Sequence, residues 1–523
     1  MTTHGNWAWI DNVIVLVYIV ITVGIGFWMK RFAGRLENFI VAGRNVNIYL
    51  GIASLAATEF GLLMVMVAAQ GGYTKGFSVI FLGVAAGVIM LAMGWTGFVV
   101  KKLRATGAVT IPEILEKKYG SRVRWWSGVF VATGGILNMG VFLRIAGEFV
   151  VYFIGMGEGA VEIMGFRLGY LELIMTAMLA LTLLYTSAGG MLSILVTDLA
   201  QFLLMGIGVV WMTLMCVSKF GWFTLVDKVR TVHGPGGFNP FLSEGYGPWY
   251  VLYIFLFMFV GQATWQTQIS RLLSAKDERT AAKMYSWAGF YFIGRWALPA
   301  VWGITALLIV DPALFPVNDK VDASRLATPT ALGMITPSGL AGLIMASMLA
   351  AEMSSISSYL LSWATVIVHD IVKPMRRNGL EPKAELFWTR VAVVAIGVFL
   401  VFFGLWYKLE GMVWDFLATT GSIYMSAMGA LLIAGLYWKR AHRTGAYAAL
   451  FLGAFFPLSC LTYNQLVARE ILHTAKIPEY LSGLASLTAA ALGMVIGSLL
   501  GGKKVDPSAP DNRIGSPESL VRS

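Results

Sequence analysis

The stretch Gly51-Ile-Ala-Ser-Leu-Ala-Ala-Thr58-Glu59-Phe60-Gly61 places polar residues and glycines at the middle of a long apolar segment. A second apolar segment is interrupted in the same way, from Phe257 to Gln268, by the run Gly261-Gln-Ala-Thr-Trp-Gln-Thr-Gln268. Polar groups at mid-depth favour a helix that unwinds inside a membrane, because its freed carbonyls can then face a cavity instead of lipid. Both segments are therefore predicted to be broken helices.

The composition supports a membrane protein. Of 523 residues, 57% are apolar and 13% are charged, and the charges lie between long apolar runs. This pattern predicts an all-α polytopic protein of a cell membrane, plasma or inner, embedded in a lipid bilayer. We predict about thirteen transmembrane helices, at residues 9–29, 46–70, 77–100, 125–155, 169–187, 194–217, 249–270, 285–310, 333–368, 387–407, 413–437, 444–464 and 481–500.

Basic residues predict the orientation, since Lys and Arg accumulate in short cytoplasmic loops. They concentrate in one set of alternate loops, which places the N-terminus outside and the C-terminus inside. The net charge of +11 is then a signal of topology, so nucleic acid is excluded as a partner. Arg144 and Arg295 are the basic residues that this prediction leaves within spans.

The two interrupted spans lie at matching positions in two sets of five helices that start on opposite sides of the membrane. Such an arrangement is typical of an inverted repeat with a central binding site. The predicted organisation, in chain order, is an N-terminal peripheral helix with a cytoplasmic loop (1–45), the first inverted repeat (46–217), an extracellular or periplasmic loop (218–248), the second inverted repeat (249–437), two peripheral helices (438–502) and a disordered cytoplasmic tail (503–523).

A third feature is the octad Ala351-Glu-Met-Ser-Ser-Ile-Ser-Ser358, which carries four hydroxyls inside an apolar segment. On a helix, Ala351, Ser354, Ser355 and Ser358 share one face. Hydroxyls at this depth need a cavity, a neighbouring helix or an ion. Close helix packing is the alternative interpretation, because small residues are enriched where membrane helices meet.

With these features the chain resembles the sodium:solute symporters, a family that includes bacterial sodium-coupled galactose, proline and sialic acid transporters. The resemblance implies a core of ten helices in two inverted repeats, like the leucine-type transporters. The residues that carry it are Asn38-Phe-Ile-Val-Ala-Gly-Arg44, Ser54-Leu-Ala-Ala57, Gly189-Gly190, Thr197-Asp198-Leu-Ala-Gln201, Arg271-Leu-Leu-Ser-Ala-Lys276-Asp and Ala350-Ala-Glu-Met-Ser-Ser355.

The resemblance also implies two sodium sites. Oxygen donors at a helix break suit a hard cation. Site one would comprise the carbonyls of Ala57, Phe60 and Ala351 with the hydroxyls of Ser354 and Ser355. Site two would comprise Asp198, Ser354, Ser357 and Ser358. A hydrogen-bonded structural aspartate is the alternative for Asp198. The role of Glu352, one residue off the serine face, is left open.

The solute is less well defined. Positions that are polar in sodium-galactose transporters are apolar here, which departs from a sugar site. An acidic residue, Glu59, lies instead at the first break. Opposite charges around one cavity favour a carboxylate or zwitterion, such as an amino or organic acid. Arg144 and Glu148 could instead neutralise each other, as could Arg295 and Glu59. The solute-binding candidates are Glu59, Arg144, Gln262, Thr264, Trp265, Gln266 and Arg295.

We therefore expect a secondary active transporter that couples inward Na⁺ movement, two ions per solute, to uptake of a small polar molecule by alternating access. No enzyme activity and no cofactor are expected, since the five histidines fall outside or at the edges of the predicted spans. A sodium/sugar symporter and a proton-coupled transporter using Glu59 or Asp198 are the alternatives. A channel is disfavoured, and the sequence leaves protein partners open.

Overall fold

The computed structural model describes residues 6–29, 42–157, 159–163, 166–315, 320–376 and 379–501. Helices dominate this part of the chain, with one two-stranded antiparallel sheet, β1 (Ala160–Ile163) and β2 (Phe166–Gly169). The helices are α1 (Trp9–Met29), α2 (Ile48–Glu59), α3 (Leu62–Lys75), α4 (Ile80–Thr96), α5 (Val100–Ala105), α6 (Ile111–Tyr119), α7 (Ser121–Asn138), α8 (Phe142–Ile154), α9 (Tyr170–Phe220), α10 (Trp222–His233), α11 (Pro248–Thr264), α12 (Gln266–Ser274), α13 (Glu278–Ile309), α14 (Lys320–Ile335), α15 (Leu340–Val366), α16 (Lys373–Met375), α17 (Pro382–Trp406), α18 (Val413–Tyr437), α19 (Arg443–Ala468) and α20 (Glu479–Gly501).

Both predicted interruptions are breaks in the backbone. Helix α2 ends at Glu59, Phe60 and Gly61 leave the helical conformation, and α3 starts at Leu62. The second break falls at Trp265, an extended residue between α11 and α12, where the axis bends by 41°. Each break frees backbone groups in the interior of the bundle, which is where a polar ligand could use them.

Glycines allow the helices around these breaks to approach closely. Gly87 of α4 faces Gly289 of α13, and a Cβ at either position would lie within 3 Å of the other glycine's carbonyl oxygen. Gly303 of α13 likewise faces the Ala69 carbonyl of α3. Small residues at such contacts let membrane helices pack through their backbones. These contacts hold α3 and α4 against α13.

The octad lies in α15, which is buried along most of its length. Helix α15 packs against α9, α1 and α2. At its start, Asp11 of α1 accepts hydrogen bonds from the N–H groups of Gly339 (2.8 Å) and Gly342 (2.6 Å). A carboxylate at a helix N-terminus satisfies free donors and interacts favourably with the helix dipole. Asp11 therefore joins α1 to the helix that carries the serines.

Several boundaries differ from the prediction. The backbone is helical through 188–193, which was predicted to be a loop, so two predicted spans form one helix of 51 residues. This connection contains no proline and no charge that would stop a helix. An unbroken helix of that length would be about 76 Å long, more than twice the hydrocarbon thickness of about 30 Å, so the prediction of two crossings remains open.

Two arginines that were assigned to loops lie in helices instead. Arg271 belongs to α12 and is buried, although the seventh span was predicted to end at residue 270. Arg325 belongs to α14, a helix that the prediction missed because its Lys, Asp, Ser and Arg residues interrupt the apolar pattern. Both arginines are buried because they have polar partners inside the protein.

Ten helical segments of the described chain are long and apolar enough to cross a membrane, and the bent pair α11 and α12 would make eleven. Helix α2 is too short to count alone, because the break at Phe60 divides the second predicted span. The count of thirteen and the orientation remain predictions. The predicted tail 503–523 and the residues of the Asn38–Arg44 motif before Ala42 lie outside the described residues.

Candidate functional site

The first break meets the serine face of α15. Ser355 Oγ donates a hydrogen bond of 2.8 Å to the Thr58 carbonyl, one of the carbonyls that the end of α2 leaves exposed. A Cβ added at Gly61 would lie 2.6 Å from Ser355 Oγ and 3.8 Å from the Ala351 carbonyl oxygen. Glycine at the break therefore allows α3 to start directly against the octad. The structure brings Ala351 and Ser355 to the break that contains Phe60.

Asp198 of α9 lies on the other side of these serines. Its carboxylate accepts hydrogen bonds of 2.6 Å from Ser354 Oγ and from Ser54 Oγ. The residue is fully buried, so both bonds compensate a charge that water cannot reach. Because the hydroxyls act as donors, their oxygen lone pairs remain available to a cation. Asp198 thus joins α2, α9 and α15 at one point.

The remaining members of predicted site two lie one turn further along α15. Ser358 Oγ is 3.1 Å from Thr58 Oγ1, and Ser357 Oγ donates to the Ser354 carbonyl at 3.0 Å. Ser357 therefore bonds back to its own helix, whereas Ser358 contacts α2. The four residues predicted for this site lie close together, but their hydroxyls do not all point to one centre.

Arg271 is the main feature of this region that the sequence analysis missed. Its Nη2 donates to Ser358 Oγ, and its Nη1 donates to the Thr267 carbonyl at 3.2 Å. Asp198 and Glu59 are the carboxylates that interact with its charge. The positive charge of Arg271 therefore lies between predicted sodium site two and the first break. Its place in the motif Arg271–Asp277, which carries part of the family resemblance, was the signal that could have revealed it.

A central cavity of about 680 Å³ opens beside the first break. It is enclosed by both broken helices together with α7, α8, α13, α15 and α18, so both predicted repeats contribute to it. Among its lining residues, the polar ones are Thr58, Glu59, Asn138, Gln262, Gln268, Arg295, Ser355 and Tyr359. Apolar and aromatic side chains form the rest of the wall, as is common in sites that bind small molecules.

Glu59 and Arg295 place opposite charges on this cavity. Thr267 Oγ1 donates to Glu59 Oε1 at 2.6 Å, and Tyr359 OH lies 3.5 Å from Glu59 Oε2. Arg295 Nη1 donates to the main-chain carbonyl of Glu59, not to its carboxylate. Within the described residues, no ion pair of 4 Å or less joins these two side chains. Each charge therefore keeps bonding capacity for a ligand.

Amide and aromatic groups surround the two charges. The Oε1 atoms of Gln262 and Gln268 are buried, and among the described residues neither has a hydrogen-bond partner. Trp265 Nε1 donates to Tyr359 OH at 3.0 Å, which fixes both rings at the second break. Buried amide oxygens without partners are costly unless a ligand or water satisfies them. The cavity thus offers acceptors and aromatic surface as well as charge.

Three predicted solute-binding residues lie elsewhere. Thr264 bonds back to the Val260 carbonyl, and Gln266 accepts from the Ile111 N–H of α6. Arg144 pairs with Glu148 (3.1 Å), the neutralisation that the sequence analysis had kept as an alternative. None of the three lines the central cavity. Their spacing along a helix could not show which way each side chain points.

Glu148 also pairs with Arg325 of α14, at 2.7 Å. Arg144 and Arg325 border a second, polar cavity of about 2150 Å³, which is also lined by the ends of α17 and α19. Arg325 also lies 3.7 Å from Asp322, so two carboxylates balance the two arginines and leave little free charge for a solute. The network therefore connects α8 to α14 and lies outside the central cavity.

Comparison with known proteins identifies the family and the fold of the chain. The model of the sodium:solute symporter family matches residues 39–453. A sodium/mannose cotransporter of Bos taurus is 27% identical, over 85% of this chain and 77% of its own.

Two solved structures show the fold. One is the substrate-bound, outward-open state of a Na⁺-coupled sialic acid symporter, with a TM-score of 0.74, 18% identity, and coverage of 95% of this chain and 100% of that one. The other is MhsT in complex with L-phenylalanine, with a TM-score of 0.51, 13% identity, and coverage of 87% and 98%. The predicted leucine-transporter-like membrane fold is confirmed. Since the family model covers most of its length, the chain belongs to the sodium:solute symporter family.

Proposed function

We propose that this sodium-coupled symporter takes up a small carboxylate or zwitterion, such as an amino or organic acid, through the central cavity. The observation that carries the proposal is the pair of buried, opposite charges, Glu59 and Arg295, whose side chains lie near each other but form no direct ion pair among the described residues. A guanidinium binds a carboxylate through two parallel hydrogen bonds. A buried carboxylate is in turn a suitable partner for an ammonium group.

The proposal includes two sodium ions. At site one, the carbonyls of Ala57, Phe60 and Ala351 and the hydroxyls of Ser354 and Ser355 would replace the water shell of the ion. The contacts of Ser355 with Thr58 and of Gly61 with α15 support it, because they bring the break against the helix that carries the serines. Five oxygen donors suit a hard cation.

The second ion would bind between Asp198 and the hydroxyls of Ser354, Ser357 and Ser358. The hydrogen bond between Ser354 and Asp198 supports this site. Arg271 is a competing cation, because it already donates to Ser358. Binding of the second ion would therefore require the guanidinium to release Ser358 or to share it.

Sodium and solute would be coupled through α2 and α3. The break that supplies carbonyls to site one also carries Glu59 into the solute cavity, so an ion that orders the break also orders the solute site. Such coupling is reciprocal in free energy. Each charge that moves inward through 100 mV adds about 2.3 kcal/mol of driving force.

A sugar is the second candidate solute. The unpaired amide oxygens of Gln262 and Gln268 and the ring of Trp265 favour it, because hydroxyl-rich ligands use acceptors and flat apolar surfaces. A relative at 27% identity is a sodium/mannose cotransporter by name. The two charges favour the zwitterion more strongly, since burying them without a charged ligand is costly.

The test uses purified protein in proteoliposomes with an inward Na⁺ gradient, screened over amino acids, carboxylates and sugars. The variants Glu59→Gln and Arg295→Gln separate the two solute classes. For a zwitterion, Glu59→Gln should weaken uptake of the amino acid while retaining its deaminated carboxylate, and Arg295→Gln should weaken both. Uptake of sugars alone, or uptake that needs a proton gradient and no Na⁺, would overturn the proposal.

A further inference from the structure

Glu352 is a buried acid that the proposed transport cycle does not yet use. It lies in the octad, directly after Ala351 and two residues before Ser354. The residue has no exposed surface. Within the described part of the chain, neither carboxylate oxygen has a hydrogen-bond partner of normal length and angle. A carboxylate in such a place is costly, so its retention needs a physical reason.

One polar group close to this carboxyl belongs to the first broken helix. It is the backbone N–H of Leu63, in the first turn of α3. In that turn, Met64 and Val65 donate to the Gly61 carbonyl, which leaves the N–H groups of Leu62 and Leu63 as the free donors. Gly61 has no side chain to cap them.

The beginning of α3 lies against α15 at this point, as the contact between Gly61 and Ser355 shows. Glu352 is about 60° around the α15 axis from Ser355, so the two side chains flank the same approaching turn. A negative charge beside the first turn of a helix is stabilised by the helix dipole. Glu352 therefore lies where its charge can interact with the start of α3 from a different helix.

Glu352 and Asp198 also differ in the charged groups that surround them. Asp198 has Arg271 as a nearby positive charge, whereas none of the ion pairs found within 4 Å in the described chain includes Glu352. The five donors proposed for site one, by contrast, are all neutral oxygens. A cation bound there would have an uncompensated charge in a medium of low dielectric constant.

We propose that Glu352 is a positioning residue for sodium site one: its carboxylate holds the first turn of α3 against α15 and supplies the negative charge that the neutral ligands lack. This inference rests on the proposed function, since it concerns the affinity of the proposed ion site. It assigns Glu352 no contact with the solute. Removal of the charge should therefore change sodium affinity before it changes solute affinity.

The experiment measures the half-saturating Na⁺ concentration for uptake, and ²²Na⁺ binding, with Glu352→Gln, Glu352→Asp and the control Ser347→Ala. Ser347 lies on the same helix, and its Oγ bonds to the Leu343 and Leu204 carbonyls. Glu352→Gln should raise the half-saturating Na⁺ concentration about 10-fold or more, with the solute KM at saturating Na⁺ changed less than 2-fold. Glu352→Asp, which keeps the charge, should recover most of the affinity, and the control should resemble wild type.

The outcomes separate this inference from the proposed function. If wild-type uptake does not depend on Na⁺, both the proposed function and this inference are wrong. If wild type depends on Na⁺ and Glu352→Gln has the same sodium dependence, the inference alone is wrong. Should Glu352→Gln fail to fold, Glu352→Met, which removes the charge and keeps a side chain of similar length, decides: a shift of Tm by Na⁺ smaller than that of wild type supports a role for the charge, and an equal shift overturns it.

Discussion

Asp198 and Ser354 are joined by a 2.6 Å hydrogen bond between α9 and α15, helices that belong to opposite predicted repeats. The same carboxylate accepts from Ser54 of α2, so three helices meet at one buried charge. Because each repeat contributes to this contact, relative movement of the repeats would change it. A cation that binds here would therefore affect the conformation of the whole core.

Replacement of Asp198 should reveal whether a second ion binds. Asp198→Ala removes the only acidic member of proposed site two and leaves the positive charge of Arg271 nearby. We expect the Hill coefficient for Na⁺ to fall toward one, with solute uptake retained at high Na⁺. The control is Thr197→Ala, since Thr197 Oγ1 bonds to carbonyls of its own helix. A wild-type Hill coefficient of one, confirmed by a charge-to-solute ratio of one, would eliminate the second ion.

Removal of the Ser355 hydroxyl should abolish most coupled uptake at the Na⁺ concentration that half-saturates wild type. Ser355→Ala deletes a ligand of proposed site one and also the 2.8 Å bond to the Thr58 carbonyl. Loss of a hydrogen-bonding group in such a site costs about 1.5 kcal/mol or more, which is about 10-fold in sodium affinity. The control is Ser362→Ala on the same helix, whose Oγ bonds to the Ser358 carbonyl. Equal sodium dependence in both variants would contradict site one as proposed.

An added methyl group at Gly61 should weaken sodium binding. Its Cβ would lie 2.6 Å from Ser355 Oγ, so α3 would have to move away from α15. The backbone conformation of Gly61, with φ −57°, accepts alanine, and the effect would therefore come from the contact alone. We expect Gly61→Ala to raise the half-saturating Na⁺ concentration, measured by uptake. Gly206→Ala is the control, because no atom lies within 4 Å of its added Cβ. Identical values for the two variants would show that this contact does not set the affinity.

The contact of Asp11 with the start of α15 should matter for stability. Asp11→Ala leaves the N–H groups of Gly339 and Gly342 without their acceptor. Loss of such a cap costs about 1 to 2 kcal/mol, so the melting temperature of the detergent-solubilised protein should fall by several degrees. Asp227→Ala is the control, since Asp227 lies on the exposed surface of α10 and pairs with exposed Arg230. An equal fall in both variants would indicate that the cap adds nothing.

The sequence predicted the parts of the site that depend on local pattern. Polar residues and glycines at mid-span predicted both breaks, at Phe60 and Trp265, because a membrane helix tolerates them only where its backbone opens into the protein. The spacing of Ser354, Ser355 and Ser358 predicted one polar face, and the structure brings this face to the first break. These features follow from helix geometry and the cost of polar groups in lipid.

Side-chain direction could not be predicted in the same way. Gln266 and Gln268 are two residues apart at the second break, yet Gln268 lines the cavity and Gln266 bonds to α6. Arg271 was assigned to a loop because its charge marked the end of an apolar run. Its burial depends on Ser358 and Thr267, partners that only the packed structure places beside it.

Acid should test the contacts of α6 with the π-helical segment Ile367–Val372, which follows α15. Glu113 of α6 lies 3.4 Å from His369 and accepts from the Val109 N–H at 2.7 Å. Burial raises the pKa of Glu113, but the hydrogen bond and charge of His369 and the Val109 N–H outweigh it and lower the pKa to about 2, from 4.5. The stabilisation is therefore fully present above pH 4.5 and is lost as the pH falls toward 2.

Glu113→Gln should consequently melt at a lower temperature than wild type at pH 6, and the difference should shrink steadily as the pH is lowered from 4.5 toward 2. The measurement is the melting temperature in detergent across this range. Glu278→Gln, at the exposed start of α13, controls for the chemical change. If the melting temperatures of wild type and Glu113→Gln differ by the same amount from pH 6 to pH 3, the ionised carboxylate of Glu113 does not stabilise this contact.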